Sequence, residues 1–110
     1  MSYKIIPTET FKTQVKTLQK KYPHIRKDLK DLSQRLKQNP KTGKALGSGV
    51  YKLRLRSSDI SKGKRSGYRV ISYVSDEHEK VRLLTIYIKP RKATITDNEI
   101  LSILRKEGLI

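Results

Sequence analysis

Apolar side chains recur every three or four positions along the first forty residues, which is the spacing of one face of an α-helix. The spacing predicts one helix over residues 8–21 and a second over residues 23–38. The two apolar stripes are Phe11, Val15 and Leu18, and Ile25, Leu29, Leu32 and Leu36. Pro23 separates them, because proline disfavours helical geometry in the residue before it. Two amphipathic helices joined by a short link predict a hairpin that packs on an apolar surface.

Four segments have the composition of β-strands, and they cover residues 3–6, 50–56, 68–74 and 81–88. Residues 41–49 and 57–67 are predicted as loops, and residues 75–80 as a turn. A final helix is predicted to begin at the capping-box pattern of Thr96 and Glu99 and to end at Gly108.

The predicted order is β-α-α-β-β-β-α, which indicates a single α+β domain over residues 1–110. We expect an antiparallel sheet of about four strands, packed against the helical hairpin and the C-terminal helix, with the helices on one face of the sheet. Segment 3–6 is expected at an edge or alongside a central strand. Segment 81–88 is expected to be central, because it is apolar at nearly every position.

Composition narrows the class of protein. The chain has 110 residues, and its 26 Lys and Arg against 10 Asp and Glu give a formal net charge of +16. Cysteine is absent, which excludes a disulfide framework, a thiol nucleophile and a zinc–thiolate site. No segment has the ~20 apolar residues of a membrane span or the pattern of a secretory signal, so a cytoplasmic protein is expected. The charge predicts a negatively charged partner, either a nucleic acid or an acidic protein.

The positive charge is concentrated in residues 41–69, which hold nine basic side chains and one acidic side chain. Alternation over residues 50–56 places apolar and basic side chains on opposite faces of one strand. The apolar face holds Tyr51, Leu53 and Leu55, and the basic face holds Lys52, Arg54 and Arg56. Like charges ~6–7 Å apart along a strand repel one another, so this stacking is favourable only where a polyanion lies across it.

A solvated sheet face with acidic cross-strand neighbours is the alternative interpretation of this stripe. The next two predicted strands contain no acidic residue, which favours the polyanion. Arg69 on the next strand and Arg91 after the following one are candidates to extend the stripe, since the planar fork of arginine donates two parallel hydrogen bonds to phosphate. Tyr87 shares its strand parity with Lys89 and Arg91, so it is a candidate for the same face.

The loop over residues 57–67 carries Lys62, Lys64 and Arg65. It lacks the full spacing of a phosphate-binding loop and no helix follows it, so it is either a basic loop that contacts a nucleic-acid backbone or a plain hairpin loop. His24 is predicted to be a helix cap or a surface residue, and His78 is predicted to face solvent in an acidic turn. Two isolated histidines do not make a metal site.

Three pieces of the chain resemble the RelE branch of the RelE/ParE toxin superfamily. They are residues 51–58, with the sequence YKLRLRSS, the piece Gly67-Tyr68-Arg69-Val70, and a hydrophobic strand that ends in Lys89-Pro90-Arg91-Lys92. The element order and the length match as well. The chain departs from the family by a longer Lys/Gly loop between the first two pieces. It also has no tyrosine after Tyr87, where some members carry a proposed acid or base, and Asp97 lies at about that place.

The resemblance implies the toxin of a bacterial toxin–antitoxin pair that cuts messenger RNA in the ribosomal A site without a metal or other cofactor. It implies catalytic roles for Lys52, Arg54, Arg69 and Arg91. Contacts to RNA or the ribosome are expected from Arg56, Lys62, Lys64, Arg65, Tyr87, Lys89 and Lys92. The implied partner is a small antitoxin whose acidic or amphipathic segment covers the basic face or packs on the helical hairpin. DNA is then contacted only through the antitoxin.

Lys52 is a candidate general base, because a strongly positive field lowers the pKa of a lysine. Two other functions stay open. A ParE-like inhibitor of DNA gyrase shares the fold, but it has no need of several basic residues around one groove. A non-catalytic RNA-binding module is expected to expose aromatic side chains on its sheet, and the predicted sheet offers tyrosines but no Phe or Trp.

Overall fold

Three helices and five strands make up the part of the chain that the structure, a computed structural model, describes: residues 2–60, 67–89 and 95–110. The helices are α1 (Glu9–Gln19), α2 (Ile25–Gln38) and α3 (Asp97–Lys106). The strands are β1 (Lys4–Pro7), β2 (Lys44–Gly47), β3 (Val50–Leu55), β4 (Gly67–Ser75) and β5 (Lys80–Lys89). The α+β class predicted from the sequence is confirmed.

The strands form one sheet in the order β1-β5-β4-β3-β2. β1 runs parallel to β5 at one edge, and the other neighbours are antiparallel. β2 is an addition to the predicted strands, because it lies at the opposite edge within the segment predicted as a loop. All four of its residues are exposed and its sequence, KALG, has no apolar alternation. A strand of this kind leaves no hydrophobic pattern to detect.

A β-bulge in β5 explains why this strand is apolar at nearly every position. Ile71 pairs with Thr85 and Ser72 pairs with Leu83, so Leu84 is an extra residue between the partners. The bulge lets Leu83 and Ile86 pack on one side of the sheet while Leu84 packs on the other. The Gln14 side-chain oxygen of α1 accepts hydrogen bonds from the Thr85 hydroxyl at 3.0 Å and the Ile86 N–H at 2.9 Å, which satisfies the irregular backbone.

The helices cover both faces of the sheet, so the expectation that they share one face is wrong. On one face, α1 and α2 pack on the larger apolar cluster, which includes Phe11, Leu36, Leu53, Val70 and Ile86. On the other face, α3 packs through Ile100 and Leu104 on a small cluster, which the sheet completes with Val50, Ile71 and Leu84. The physical reason lies in the central strands, because apolar side chains that point to both sides need a cover on both sides.

Caps and a remote carboxylate fix the helix ends. The predicted capping box is confirmed at α3, where the Thr96 hydroxyl accepts from the Glu99 N–H and the Glu99 side chain accepts from the Thr96 N–H, each at 3.2 Å. After α3, the Glu107 carboxylate accepts hydrogen bonds from the Glu9 and Thr10 backbone N–H groups at 3.2 and 3.3 Å. The first turn of α1 favours a negative charge there, so this contact ties the C-terminal segment to α1.

Candidate nucleic-acid interface

The alternation predicted for β3 is present in the structure. Leu53 and Leu55 are buried on the side of α1 and α2, whereas Lys52 and Arg54 point to the side of α3. A group of cations on this side is called the basic face here, and its members are Lys44, Lys52, Arg54, Arg69 and Lys89. Lys52 is half-buried, and Arg54 is exposed. α3 covers the Val50 end of this side of the sheet and leaves the basic face beyond its apolar cluster.

Strand register brings the basic face together. Arg54 pairs with Arg69, and Arg69 pairs with Tyr87 on the next strand. One row further along, Lys52 of β3 pairs with Lys44 of β2. Directly opposed side chains in antiparallel strands have Cβ atoms about 4.5–5.5 Å apart, so these groups can contact one bound phosphodiester segment. Within the described chain, no carboxylate forms an ion pair with Lys52, Arg54 or Lys89.

Arg69 is the most buried member of the basic face, with 4% of its surface exposed. Its guanidinium donates a hydrogen bond to the Tyr68 carbonyl oxygen at 3.4 Å. Burial lowers the pKa of Arg69, and the neighbouring Arg54 lowers it further. Arginine stays protonated even so, which makes this a positive group held in a fixed position on a rigid strand. Such a group stabilises charge that develops on a phosphate without having to reorganise.

The surroundings of Lys52 disfavour its charged form. Partial burial lowers its pKa, and so do the positive charges of Lys89, Arg69, Lys44 and Arg54, in that order of size. Both effects disfavour the ammonium form. A lysine tuned in this way is available as a neutral amine at lower pH than a lysine on an open surface. Lys44 was missed in the sequence, because nothing in the segment 41–49 indicated a strand that would aim it at Lys52.

Two glycines set the position of β3. Gly43 has φ +106°, and a Cβ there would overlap the carbonyl of Lys52. Gly67 has φ +121°, and a Cβ there would lie 2.8 Å from the Leu55 carbonyl oxygen. Both glycines adopt backbone angles that side chains disfavour, and both let another strand approach β3 closely. Gly67 is therefore a structural requirement of the Gly67-Tyr68-Arg69 piece.

A polar cluster fixes the segment that follows β3. The buried carboxylate of Asp28, on α2, accepts hydrogen bonds from the Ser58 N–H and the Ser58 hydroxyl. The Asp59 carboxylate accepts from the His24 N–H at 2.9 Å and pairs with the His24 ring at 2.6 Å. His24 is a surface residue as predicted, and its side chain makes no helix cap. The His24 hydrogen bond lowers the pKa of Asp59.

The remaining predicted residues lie elsewhere or outside the described residues. Arg56 lies beyond the end of β3 and is not part of the basic face. It lines a depression of about 310 Å³ together with Asp28 and Asp31. His78 is exposed in the β4–β5 turn, as predicted. Five predicted residues lie outside the described ranges, and they are Lys62, Lys64, Arg65, Arg91 and Lys92.

The described ranges hold neither a metal-ligand cluster nor a membrane-spanning helix. No group of three or more His, Asp or Glu residues there is arranged to hold a metal ion. None of the helices described has the length and apolar character needed to cross a membrane. Tyr68, from the Gly67-Tyr68-Arg69 piece, does not belong to the basic face, because it lies in the core against Tyr22. Burial raises the pKa of Tyr68 to about 12.

Comparison with known proteins identifies the architecture. No family model matches the sequence. Among solved structures, a mutant of the Escherichia coli toxin RelE in the free state superposes with a TM-score of 0.64 at 24% identity, covering 96% of this chain and 97% of that one. This chain has a RelE-like fold. The RelBE2 toxin–antitoxin complex of Mycobacterium tuberculosis gives a TM-score of 0.61 at 22% identity, covering 81% of this chain and all of the matched one. The RelE-like sheet therefore carries the basic face.

Proposed function

We propose that this chain is the toxin of a toxin–antitoxin pair and that it cleaves messenger RNA on the ribosome. The observation that carries the proposal is the basic face itself: Lys52, with its lowered pKa, lies among Arg54, Arg69 and Lys89 on a rigid sheet. The RelE-like fold supports the same function. A gyrase inhibitor that acts through protein contacts has no need of a lysine tuned in this way.

The chemistry that suits these residues is attack of a ribose 2′-hydroxyl on its own phosphate. Lys52, as the neutral amine, takes the proton from the 2′-hydroxyl. The 2′-oxygen forms a bond to phosphorus, the bond from phosphorus to the 5′-oxygen breaks, and the leaving 5′-oxygen takes up a proton. The products are a 2′,3′-cyclic phosphate and a 5′-hydroxyl. Arg54 and Arg69 stabilise the negative charge that builds up on the phosphorane oxygens.

The ribosome supplies what a small basic sheet lacks. If the decoding site holds the RNA with its 2′-oxygen aligned for attack, the alignment itself contributes several kcal/mol to lowering the barrier. The net charge of +16 favours docking on ribosomal RNA, with binding that weakens steeply as salt rises. A toxin of this kind acts in the cytoplasm, where ribosomes translate.

A groove on the opposite side of the molecule suits the antitoxin. It lies between α1, α2 and β1, has a volume of about 420 Å³, and has an apolar floor that includes Phe11, Leu29 and Leu83. Its rim carries four exposed cations, Lys12, Lys16, Arg26 and Lys30. An apolar floor with a basic rim matches an acidic amphipathic segment. Of the two predicted antitoxin positions, we therefore favour the helical hairpin.

The test is primer extension on a defined messenger RNA, incubated with purified protein with and without programmed ribosomes. Cuts are expected only with ribosomes, in register with the decoding site. Cuts on naked RNA alone would remove the ribosome from the mechanism. An absence of cuts in both reactions, from a protein that still arrests growth, would overturn the proposal and favour gyrase as the target.

Substitution of Lys52 tests its role as base. Lys52→Arg keeps the positive charge but cannot release a proton at neutral pH, so cleavage should fall by about 10²–10⁴-fold while ribosome binding is retained. Lys27→Met is the matched control, since Lys27 is exposed on α2 on the other side of the sheet. Equal loss of binding and cleavage in Lys52→Arg would contradict a role as base.

A further inference from the structure

The edge strand β2 adds Lys44 to the basic face, although this lysine lies in a segment that was predicted as a loop. Lys44 pairs with Lys52 in the antiparallel register of β2 and β3, so the two side chains lie on the same side of the sheet. Ala45, the next residue, pairs with Tyr51 and lies on the opposite side. Both Lys44 and Ala45 are exposed. Lys44 and Ala45 are thus neighbouring exposed positions that differ mainly in the side of the sheet on which they lie.

The position of Lys44 is fixed by the backbone. Gly43 packs so closely on the Lys52 carbonyl that a side chain there would overlap it. A register shift between Ala45 and Gly47 ends the regular pairing immediately afterwards. Lys44 and Ala45 therefore pair with β3 in one register, and Gly47 pairs with Val50 after the shift. The close approach at Gly43 fixes which residue of β2 lies beside Lys52.

Lys44 completes a ring of positive charge around Lys52. Among the described residues, the charged groups with the largest effect on Lys52 are Arg54 from its own strand, Lys44 from β2, Arg69 from β4 and Lys89 from β5. No carboxylate of α3 or of the sheet is among them. Arg54, Arg69 and Lys89 lie on the inner strands, whereas Lys44 approaches Lys52 from the free edge of the sheet. A positive charge at that edge disfavours the Lys52 ammonium without occupying the centre of the basic face.

We propose that Lys44 is a positioning residue of the cleavage site, whose ammonium group, one strand away, keeps Lys52 available as the neutral amine. The catalytic consequence of this inference rests on the proposed function. The effect of the Lys44 charge on the protonation of Lys52 does not, and it can be measured in the free protein. Lys44→Met removes the charge and keeps the length of the side chain, and Lys44→Arg keeps the charge. Lys44→Met/Ala45→Lys keeps the net charge but moves it to the opposite side of β2.

The first readout is a pH titration of Lys52 in the free protein, followed through its side-chain carbon resonances by NMR. The midpoint for Lys52 should move to higher pH in Lys44→Met, and Lys44→Arg should restore it. The transposed variant Lys44→Met/Ala45→Lys should behave like Lys44→Met, and high salt should shrink the difference. An unchanged midpoint in Lys44→Met, or full restoration in the transposed variant, would overturn the proposal.

The second readout is the pH dependence of cleavage on programmed ribosomes. The rising limb should move to higher pH in Lys44→Met, with a rate near neutral pH about two- to fivefold lower than wild type, as expected for loss of one exposed charge interaction. An unshifted limb in an active enzyme would overturn the inference and leave the proposed function standing. If wild type cleaves nothing while the NMR midpoint still shifts, the proposed function fails and the catalytic role of Lys44 fails with it.

Discussion

The two faces of the sheet are built for different purposes. Among the described residues, fifteen buried apolar residues form the cluster under α1 and α2, whereas five form the cluster under α3. The larger cluster holds the fold together, and the smaller one only fixes α3 at one end of its face. The rest of that face carries Lys52, Arg54 and Arg69, whose mutual repulsion opposes folding. Apolar burial is thus concentrated on one side of the sheet, whereas on the other side the strands themselves carry closely spaced basic side chains.

The comparison shows how a chain of this size can carry an unfavourable surface. β4 and β5 carry side chains on both faces of the sheet. Because the larger cluster holds these two strands rigidly, they present Arg69 and Tyr87 in fixed positions on the other side. The cost of gathering like charges is offset by apolar burial one sheet thickness away. Within the described ranges, no carboxylate forms an ion pair with Lys52 or Arg54, so none there competes with a bound phosphate.

The largest effect on folding should come from the packed face. Leu36 is fully buried, so Leu36→Ala should reduce the free energy of unfolding by about 2–5 kcal/mol, measured by urea denaturation. On the other face, Lys52→Met should leave stability unchanged or raise it, because the folded state disfavours the Lys52 ammonium. Leu101→Ala, at an exposed position of α3, is the control for loss of a leucine side chain. A destabilisation by Lys52→Met as large as that by Leu36→Ala would refute the division of roles between the faces.

A smaller effect is expected on partner binding. Reversing two rim charges of the groove, in Arg26→Glu/Lys30→Glu, should weaken binding of the antitoxin by at least about tenfold, measured by calorimetry with antitoxin separated from the native complex. Cleavage on ribosomes should stay close to wild type, because neither residue is on the basic face. Unchanged affinity here, with affinity lost in Arg54→Met, would place the antitoxin on the basic face instead.

Much of this organisation is predictable from the sequence, and the parts that are not have physical causes. The helical stripes, the alternation over residues 50–56 and the capping box of Thr96 and Glu99 are local patterns, and each is present in the structure. β2 is held by backbone pairing alone, so its sequence carries no apolar period to reveal it. The face on which α3 packs depends on the chain path after β5, which a stripe on α3 does not encode.

The candidate site was predictable to a similar extent. Lys52 and Arg54 follow from strand parity, and register then brings Arg69 beside Arg54. The parity of Tyr87 with Lys89 made it a candidate for the basic face, and the register of β4 and β5 places it opposite Arg69. Lys44 was missed because its pairing with Lys52 depends on the tertiary arrangement of a short edge strand, which the local sequence does not reveal. The Asp28 contact with Ser58 was missed for the same reason, since thirty residues separate the two partners in the sequence.

The smallest expected effect is a loss of folding stability at acidic pH, which originates at Asp76, outside the basic face. Hydrogen bonds from the Lys41 ammonium and the Tyr3 hydroxyl lower the pKa of Asp76 below its ordinary value of 3.8. A carboxylate whose folded-state pKa is lowered stabilises the fold above its unfolded pKa, and that contribution disappears as pH falls through the folded value. The melting temperature should therefore begin to drop below about pH 4, and less steeply in Asp76→Asn. Identical slopes in both proteins would show that this cluster contributes nothing to stability.

The measurement that tests the central claim most directly compares two variants of equal net charge in single-turnover cleavage of ribosome-bound messenger RNA. Lys52→Met/Arg54→Met removes two charges from the basic face, and Lys27→Met/Lys37→Met removes two exposed charges from α2. The first variant should lose at least about 10²-fold in rate, whereas the second should stay within about threefold of wild type. Equal losses in the two variants would mean that total charge, and not the geometry of the sheet, accounts for the activity.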